Sequence, residues 1–316
     1  MKMKISDDNV KSMVCAKSFT ENSDQINHAS YTPDGSLLVT SSADDSIIVY
    51  DCNSGTKQRS VNSKKYGVDL IHFAHTKTDA IHASTKIDHT IRYLSLYDNK
   101  YLRYFQGHTK KVVTLCMSPL DDLFLSGSQD KTIRLWDLKS SNCQGLMQLV
   151  SRPIAAFDPE GLIFGAGIGN DVIKLYDLRS FDKGPFNTFK INDTGLGCNW
   201  TGMKFSPDGK SILIMTDGNV LRLVDAYFGN VTHTLTHDNP KNVNFVAAFS
   251  PDGKYIFCGS GNGRIICWSA ESGRKINEFP TSHTGNIEQV AFNPKFFMVA
   301  SACTQLKFWI PSVDEC

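Results

Sequence analysis

The chain has 316 residues, 41% hydrophobic and 21% charged, which is material for a sizeable core and, by length alone, for two ordinary domains. A net charge of +1 excludes a general attraction to nucleic acid or to a membrane surface, so charged binding has to be local. Apolar runs stay below the roughly 18 residues of a membrane span, Met1 to Ser12 has no signal-peptide core, and nine cysteines without one CxxC give neither a disulfide framework nor a zinc site; an intracellular protein with reduced cysteines is expected.

In chain order, Met1 to Met13 is polar and predicted to be a flexible N-terminus, while Val14 to Phe19 has the pattern of a strand. Ile26 to about Val61 reads as four strands, with a Thr32-Pro33-Asp34-Gly35 turn and an Asp44-Asp45-Ser46 hairpin. The next unit gives Asp69 to Ala74, Ala80 to Thr85, Thr90 to Ser95 and a fourth strand, Tyr101 to Phe105, in which aromatic and basic residues interleave. Gly107 to Asp137 is the cleanest unit. It runs from Gly107-His108 through Val112, Val113 and Leu115, a Pro119 turn, Leu123 to Leu125 and a tight turn at Gln129-Asp130-Lys131 to Thr132–Trp136, which alternates up to Asp137. A Gly-His opening and a Trp-Asp ending are the marks of a WD repeat, whose period is about 40 to 45 residues.

The fourth unit ends at Tyr176-Asp177 and continues through a longer turn, Leu178 to Gly184, into an outer strand at Pro185 to Phe189; Asn192 to Cys198 is the longest polar connection and the expected mobile loop. Two further units carry the near-identical turns Ser206-Pro207-Asp208-Gly209 and Ser250-Pro251-Asp252-Gly253. The last supplies only three strands, Ile287 to Phe292, Phe297 to Ser301 and Leu306 to Ile310, before a short tail at 312–316.

The repeat overrides the length prior. Its endings fall at Asp51, Ser95, Asp137, Asp177, Asp225, Ser269 and Ile310, spaced by 44, 42, 40, 48, 44 and 41 residues. Proline turns at Pro33, Pro119, Pro159, Pro207, Pro251 and Pro294 keep the same period, and only the second unit lacks one. The expected fold is all-β: a seven-bladed WD-repeat β-propeller over 14–311, its ring closed by the N-terminal strand as fourth strand of the last blade, which removes open sheet edges.

The search for chemistry returns no catalytic residue, metal site or cofactor. Gly165 to Gly169 and Gly259 to Gly263 imitate phosphate loops but lie between strands, with no helix to hold an anion, and read as hairpin turns. His72, His75 and His82, or His233 with His237, lack a carboxylate or cysteine to complete a metal set. His108, Ser126 or Ser128, Asp130 and Trp136 contain a Ser/His/Asp set, but their donors and acceptors suit a structural chain from indole to hydroxyl to imidazole to carboxylate. Only the third blade has it complete.

A ring without catalytic groups still has a face. Residues just before each innermost strand crowd around one mouth of the channel, where Lys64, Lys65, Tyr66, Lys110, Lys111 and Arg152 make a basic arc over blades 2 to 4, against Asp24, Asp193 and Asp238 on blades 1, 5 and 6. Such an arc suits an acidic or phosphorylated peptide. The second candidate surface is the stripe of Arg92, Tyr93, Tyr101, Arg103 and Tyr104, whose alternative role is packing against the next blade.

NSKKYGVDLI (62–71), DHTIRYLSLYDNKYLRYFQGHTKKV (88–112), NCQGLM (142–147), FDPEGLIF (157–164), KLYDLRSFDKGPF (174–186) and FNPKF (292–296) go beyond a generic WD repeat. The chain in these stretches resembles the WD repeat-containing protein 82 family, the WD-repeat subunits of the COMPASS histone methyltransferase complex. The resemblance implies a non-enzymatic nuclear adaptor, present also in the cytoplasm on a wider reading; the alternatives are a diverged paralogue serving as a general WD-repeat interaction module and a propeller that binds a small ligand in its central channel. Its implied partners are a methyltransferase subunit with other COMPASS-type subunits, the phosphorylated C-terminal tail of RNA polymerase II and a protein phosphatase-1 targeting subunit; no sequence-specific nucleic acid and no membrane are implied. The chain departs from the family pattern at His89, at Gly261-Asn262-Gly263 and at Lys307, which stands in a usually apolar place.

Overall fold

The computed structural model describes residues 5–191, 197–240 and 243–312. Their strands form seven four-stranded antiparallel sheets. In six of the sheets four consecutive strands run outward in order, beginning with Ile26–Tyr31, Leu37–Ser42, Ser46–Asp51 and Thr56–Asn62. The first strands of neighbouring sheets touch around the ring and leave a channel at its centre.

Local chemistry sets the turns. In Thr32-Pro33-Asp34-Gly35 the Thr32 hydroxyl donates to Asp34 Oδ1 at 2.7 Å and accepts from the Leu37 amide at 3.1 Å, while Gly35 takes φ 71°. Ser206 with Asp208 and Ser250 with Asp252 repeat the bond at 2.6 Å, with Gly209 and Gly253 at φ 71° and 73°. A left-handed position favours glycine, so the motif repeats wherever that turn repeats.

Burial follows the blades. Each apolar cluster is shared by two adjacent sheets: Leu37, Val39 and Val49 of the first pack on Ile71, Phe73 and Leu94 of the second. Stability is therefore distributed around the ring instead of residing in one central core.

The closing strand forms as expected from the count of strands. Met13–Phe19 pairs antiparallel with Leu306–Pro311, with one irregularity between Cys15 and Lys17, and Phe19 enters the cluster shared by the last and first sheets. The flexible N-terminus expected over Met1 to Met13 needs correction in its described part. Asp7–Lys11 is a short helix: the Ser6 side chain accepts from the Asn9 amide, Asp7 and Asp8 occupy the first turn and Lys11 the last. Val10 is fully buried in the cluster of the sixth and seventh sheets, and Tyr255 Oη donates to Asp7 Oδ1 at 2.6 Å. Three polar side chains in a row hid a single apolar anchor.

A second correction concerns the glycine runs. Gly165 and Gly167 lie inside the strand Ile163–Ile168, and only Gly169 is in the hairpin. Close packing accounts for them, since a β-carbon on Gly165 would meet Met203 Cε at 2.7 Å and one on Gly167 would meet Ile154 Cγ1 at 2.6 Å. Of the mobile loop expected at Asn192 to Cys198, residues 192–196 lie outside the described residues.

Candidate partner-binding face and its hydrogen-bond staples

The loops that lead into the innermost strands share one face with the turns between second and third strands, and backbone bonds tie the two sets together. Thr85 and Lys86 amides donate to Tyr66 O, and the Gln129 amide donates to Lys111 O at 3.0 Å. Lys64, Lys65, Lys110 and Lys111 are exposed on this face, but they differ in what they touch. Lys111 Nζ lies 3.3 Å from Asp69 Oδ2, and Lys65 Nζ sits 5.0 Å from the centre of the Tyr66 ring. Arg152 is half-buried; burial pulls its guanidinium below the usual range, and the Asp217 carboxylate acts in the opposite sense. Sequence reasoning missed Lys86 and Lys131, which the second-to-third-strand turns add to this face; Lys86 forms an ion pair with Asp45.

The two candidate surfaces partly merge. Arg92 Cζ stands 3.7 Å from the Tyr66 ring centre, and Tyr66, Tyr101 and Tyr104 follow edge to face and tilted at 5.6 and 5.7 Å. Arg92 is buried and held by both carboxylate oxygens of Asp88 at 2.8 and 2.9 Å; this ion pair, its largest influence, pulls the Asp88 carboxyl below its ordinary value. Alternation along the strands explains which members join: Arg92 faces Tyr104 across the ladder, whereas Tyr93 faces Arg103 on the opposite side. Arg103 is turned away to bond Leu138 O of the next blade. The stripe is therefore two things, an arginine cage beside the basic arc and a packing contact.

The structural chain of the third blade is complete. Trp136 Nε1 donates to Ser126 Oγ at 2.8 Å, Ser126 Oγ meets His108 Nε2 at 2.7 Å, and His108 Nδ1 meets Asp130 Oδ2 at 2.9 Å. Of the alternatives it is Ser126 that serves; Ser128 Oγ donates to Lys110 O instead. Burial would raise the Asp130 carboxyl, but Thr132, His108 and the Thr109 amide together bring it down to about 2. Buried this way, the Ser/His/Asp set has no open hydroxyl to present to a substrate.

The seventh blade holds a second chain that sequence reasoning missed. Trp309 Nε1 donates to Ser301 Oγ at 2.8 Å, Ser301 Oγ meets His283 Nε2 at 2.7 Å, and His283 Nδ1 lies 3.1 Å from Cys303 Sγ. Its marks are masked because Ser282 replaces the glycine before the histidine and Cys303 replaces the aspartate. Beside it Lys307 is buried, and its ammonium bonds Ser282 Oγ, which is how a lysine occupies an otherwise apolar place.

No group of three metal-ligating side chains exists among the described residues. His72 faces the channel beside His28, His75 lies 2.7 Å from Asp121 O at a turn, and His82 is buried against Tyr101. His233 bonds Glu271 O, and His237 packs edge to face on Phe245.

The WD domain, G-beta repeat family matches residues 13–51, 99–137 and 229–269. Each matched segment begins on, or in the turn just before, an outer strand and ends on the third strand of the next sheet, so the sequence unit is offset by one strand from the blade. Among relatives, WD repeat-containing protein 82 of Drosophila melanogaster is 58% identical over 100% of this chain and 99% of its own. Set1 complex component swd2 of Schizosaccharomyces pombe is 35% identical over 90% of this chain and 92% of its own, and COMPASS component SWD2 of Saccharomyces cerevisiae is 33% identical over 90% of each. Full-length similarity of this order, on a propeller with the same repeat marks, means that the chain belongs to the WD repeat-containing protein 82 family.

Proposed function

We propose that the chain is a non-catalytic scaffold subunit of a COMPASS-type histone H3 lysine-4 methyltransferase complex in the nucleus. The observation that carries this reading is the 58% identity along the whole chain to WD repeat-containing protein 82, joined by two relatives whose names place them in Set1 and COMPASS complexes. The Ser/His/Asp set is used up in a buried hydrogen-bond chain, which fits a scaffold better than an enzyme. On this reading the basic arc takes the phosphorylated C-terminal tail of RNA polymerase II, and a protein phosphatase-1 targeting subunit is a further partner. Lys64, Lys65 and Lys110 are the arc's most available cations, because they enter no ion pair among the described residues. Lys111 and Arg152 are already engaged by Asp69 and by burial.

Affinity capture of the tagged chain from nuclear extract, followed by mass spectrometry, tests the assembly; recovery without methyltransferase or phosphatase subunits rejects it. Titration with a Ser-phosphorylated tail peptide at two salt concentrations tests the arc, since exposed charges are screened over about 8 Å at physiological ionic strength. Lys64→Glu with Lys110→Glu is expected to abolish binding and leave the melting temperature unchanged. Equal affinity for the unphosphorylated peptide shows the arc to be ordinary solvated charge.

A further inference from the structure

The central channel carries a cation that no described residue neutralises. Lys204, on the innermost strand Trp200–Phe205 of the fifth blade, donates from Nζ to Ala247 O of the sixth at 2.8 Å. It enters no ion pair among the described residues, so two of its three N–H donors point to no protein partner that the fold supplies. Other blades use the same position to reach the next blade without a charge: Cys116 Sγ donates to Ala155 O at 3.9 Å, and Ser30 Oγ lies 3.3 Å from His72 Nδ1. A neutral side chain suffices for the inter-blade bond, and the ammonium therefore exceeds what stapling needs.

The lysine opens into a cavity of about 380 Å³ that also exposes His28 and His72, which pack edge to face at 4.7 Å. Much of the remaining wall is apolar, with Leu70, Val113, Met117, Phe205 and Val246 along it. Pro119, Pro159 and Pro207 line the same cavity, so it reaches the turns after the innermost strands, at the opposite end of the channel from the basic arc. Burial draws the Lys204 ammonium down to about 8, which leaves it charged at neutral pH. After burial, the same charge helps to depress both His28 and His72.

We propose that this end of the channel is a binding site for a carboxylate carried on an apolar chain, with Lys204 as its counter-ion and the apolar wall receiving the chain. A carboxylate supplies the missing partner of a half-buried ammonium, and in a low-dielectric channel a charge-assisted bond is stronger than in water. The neutral imidazoles of His28 and His72 add polar contacts without repelling a cationic or anionic neighbour. Such a group comes either from a free small carboxylate or from a glutamate of an extended partner segment.

The test uses the full chain with methyl-labelled methionine, read by NMR at Met117 and Met203, which line the cavity. The probes are hexanoate and the blocked tripeptide acetyl-Leu-Glu-Leu-amide, against hexanamide and the matching glutamine peptide. The carboxylates are expected to shift the methyl signals saturably, and the neutral controls to bind about tenfold or more weakly. Lys204→Met removes the difference between acid and amide, and Lys204→Arg retains it. Binding of hexanoate alone assigns a small-molecule source, and binding of the peptide assigns a partner segment. Equal binding of acid and amide by the wild type, or undiminished acid binding by a folded Lys204→Met protein, overturns the proposal.

Discussion

The third and seventh blades build one hydrogen-bond chain from different endings. In the third, the imidazole meets a carboxylate that also accepts from the Thr109 and Thr132 amides and from the Thr132 hydroxyl at 2.6 Å. That carboxylate therefore ties the loop carrying Lys110 to the turn carrying Lys131. In the seventh, Cys303 Sγ meets the imidazole and accepts from the Gln305 amide, while its backbone carbonyl accepts from the Ile26 amide of the first blade at 2.8 Å. One blade is closed within a contiguous stretch of chain; the other is assembled from the two ends of the chain and leans on its neighbours.

The largest expected effect follows from that dependence. Deleting Met1 to Phe19 removes the strand paired with Leu306–Pro311, the Val10 anchor and the Phe19 contact with Tyr50 and Phe308 at once. Thermal unfolding is expected to lose its cooperative transition or to shift it further than any single substitution does. A truncated protein that melts like the full-length chain means that the seventh blade stands on three strands.

Next in size are changes within the staples. Trp136 is fully buried, with Phe105 and Phe124 ring centres at 5.6 and 6.2 Å, so Trp136→Ala is expected to cost about 3–5 kcal/mol in denaturant unfolding. Asp130→Asn weakens several bonds to a charged group, and about 1.5–3 kcal/mol is expected. Cys303→Ala, by contrast, removes only weak sulfur bonds and should cost less. If the cysteine change costs as much as the aspartate change, the two endings are equivalent and the contrast between the blades fails.

Acid should separate the endings as well. Burial, the largest cause in each case, holds His28, His82, His237 and His283 near about 4, below the ordinary imidazole value of about 6.5. Because the unfolded chain takes up these protons first, the stability they contribute is complete above pH 6.5 and is lost as pH falls towards 4. Asp130, held at about 2, loses its contribution only below pH 4, as acid approaches that value. Unfolding free energies measured at pH 7.5, 5.5 and 4.5 are expected to fall steadily, and a flat profile contradicts the buried neutral state of these rings.

Much of the fold was legible because turns and strand endings are local: Asp34, Asp208 and Asp252 bond within their own turns, so the motif survives wherever the turn does. Val14 to Phe19 was legible by counting strands. The site was less so. Arg92 and Lys111 look alike as exposed charges in the sequence, and only the fold reveals Asp88 and Asp69 beside them. Lys204 carries no local signal whatever, since its position in the channel depends on the closure of the whole ring. His283 escaped notice because its chain ends on a sulfur where the repeat pattern leads one to look for a carboxylate.

The smallest effect tests whether that sulfur occupies the carboxylate's role. Cys303→Asp would give the seventh blade the ending of the third, with an oxygen near His283 Nδ1 where Sγ now stands at 3.1 Å. An adjacent carboxylate favours the charged imidazole, so the His283 titration followed by NMR should move up from about 4, against the continuing burial and the opposing Lys307 charge. Stability should change little at neutral pH, because a newly buried charge costs about what its new bonds return. The decline with acid should become shallower, since a ring that protonates nearer to its unfolded value gives up less on the way down. A His283 titration that does not move would mean that residue 303 serves only the backbone bond to Ile26, and that the resemblance between the two chains ends at the imidazole.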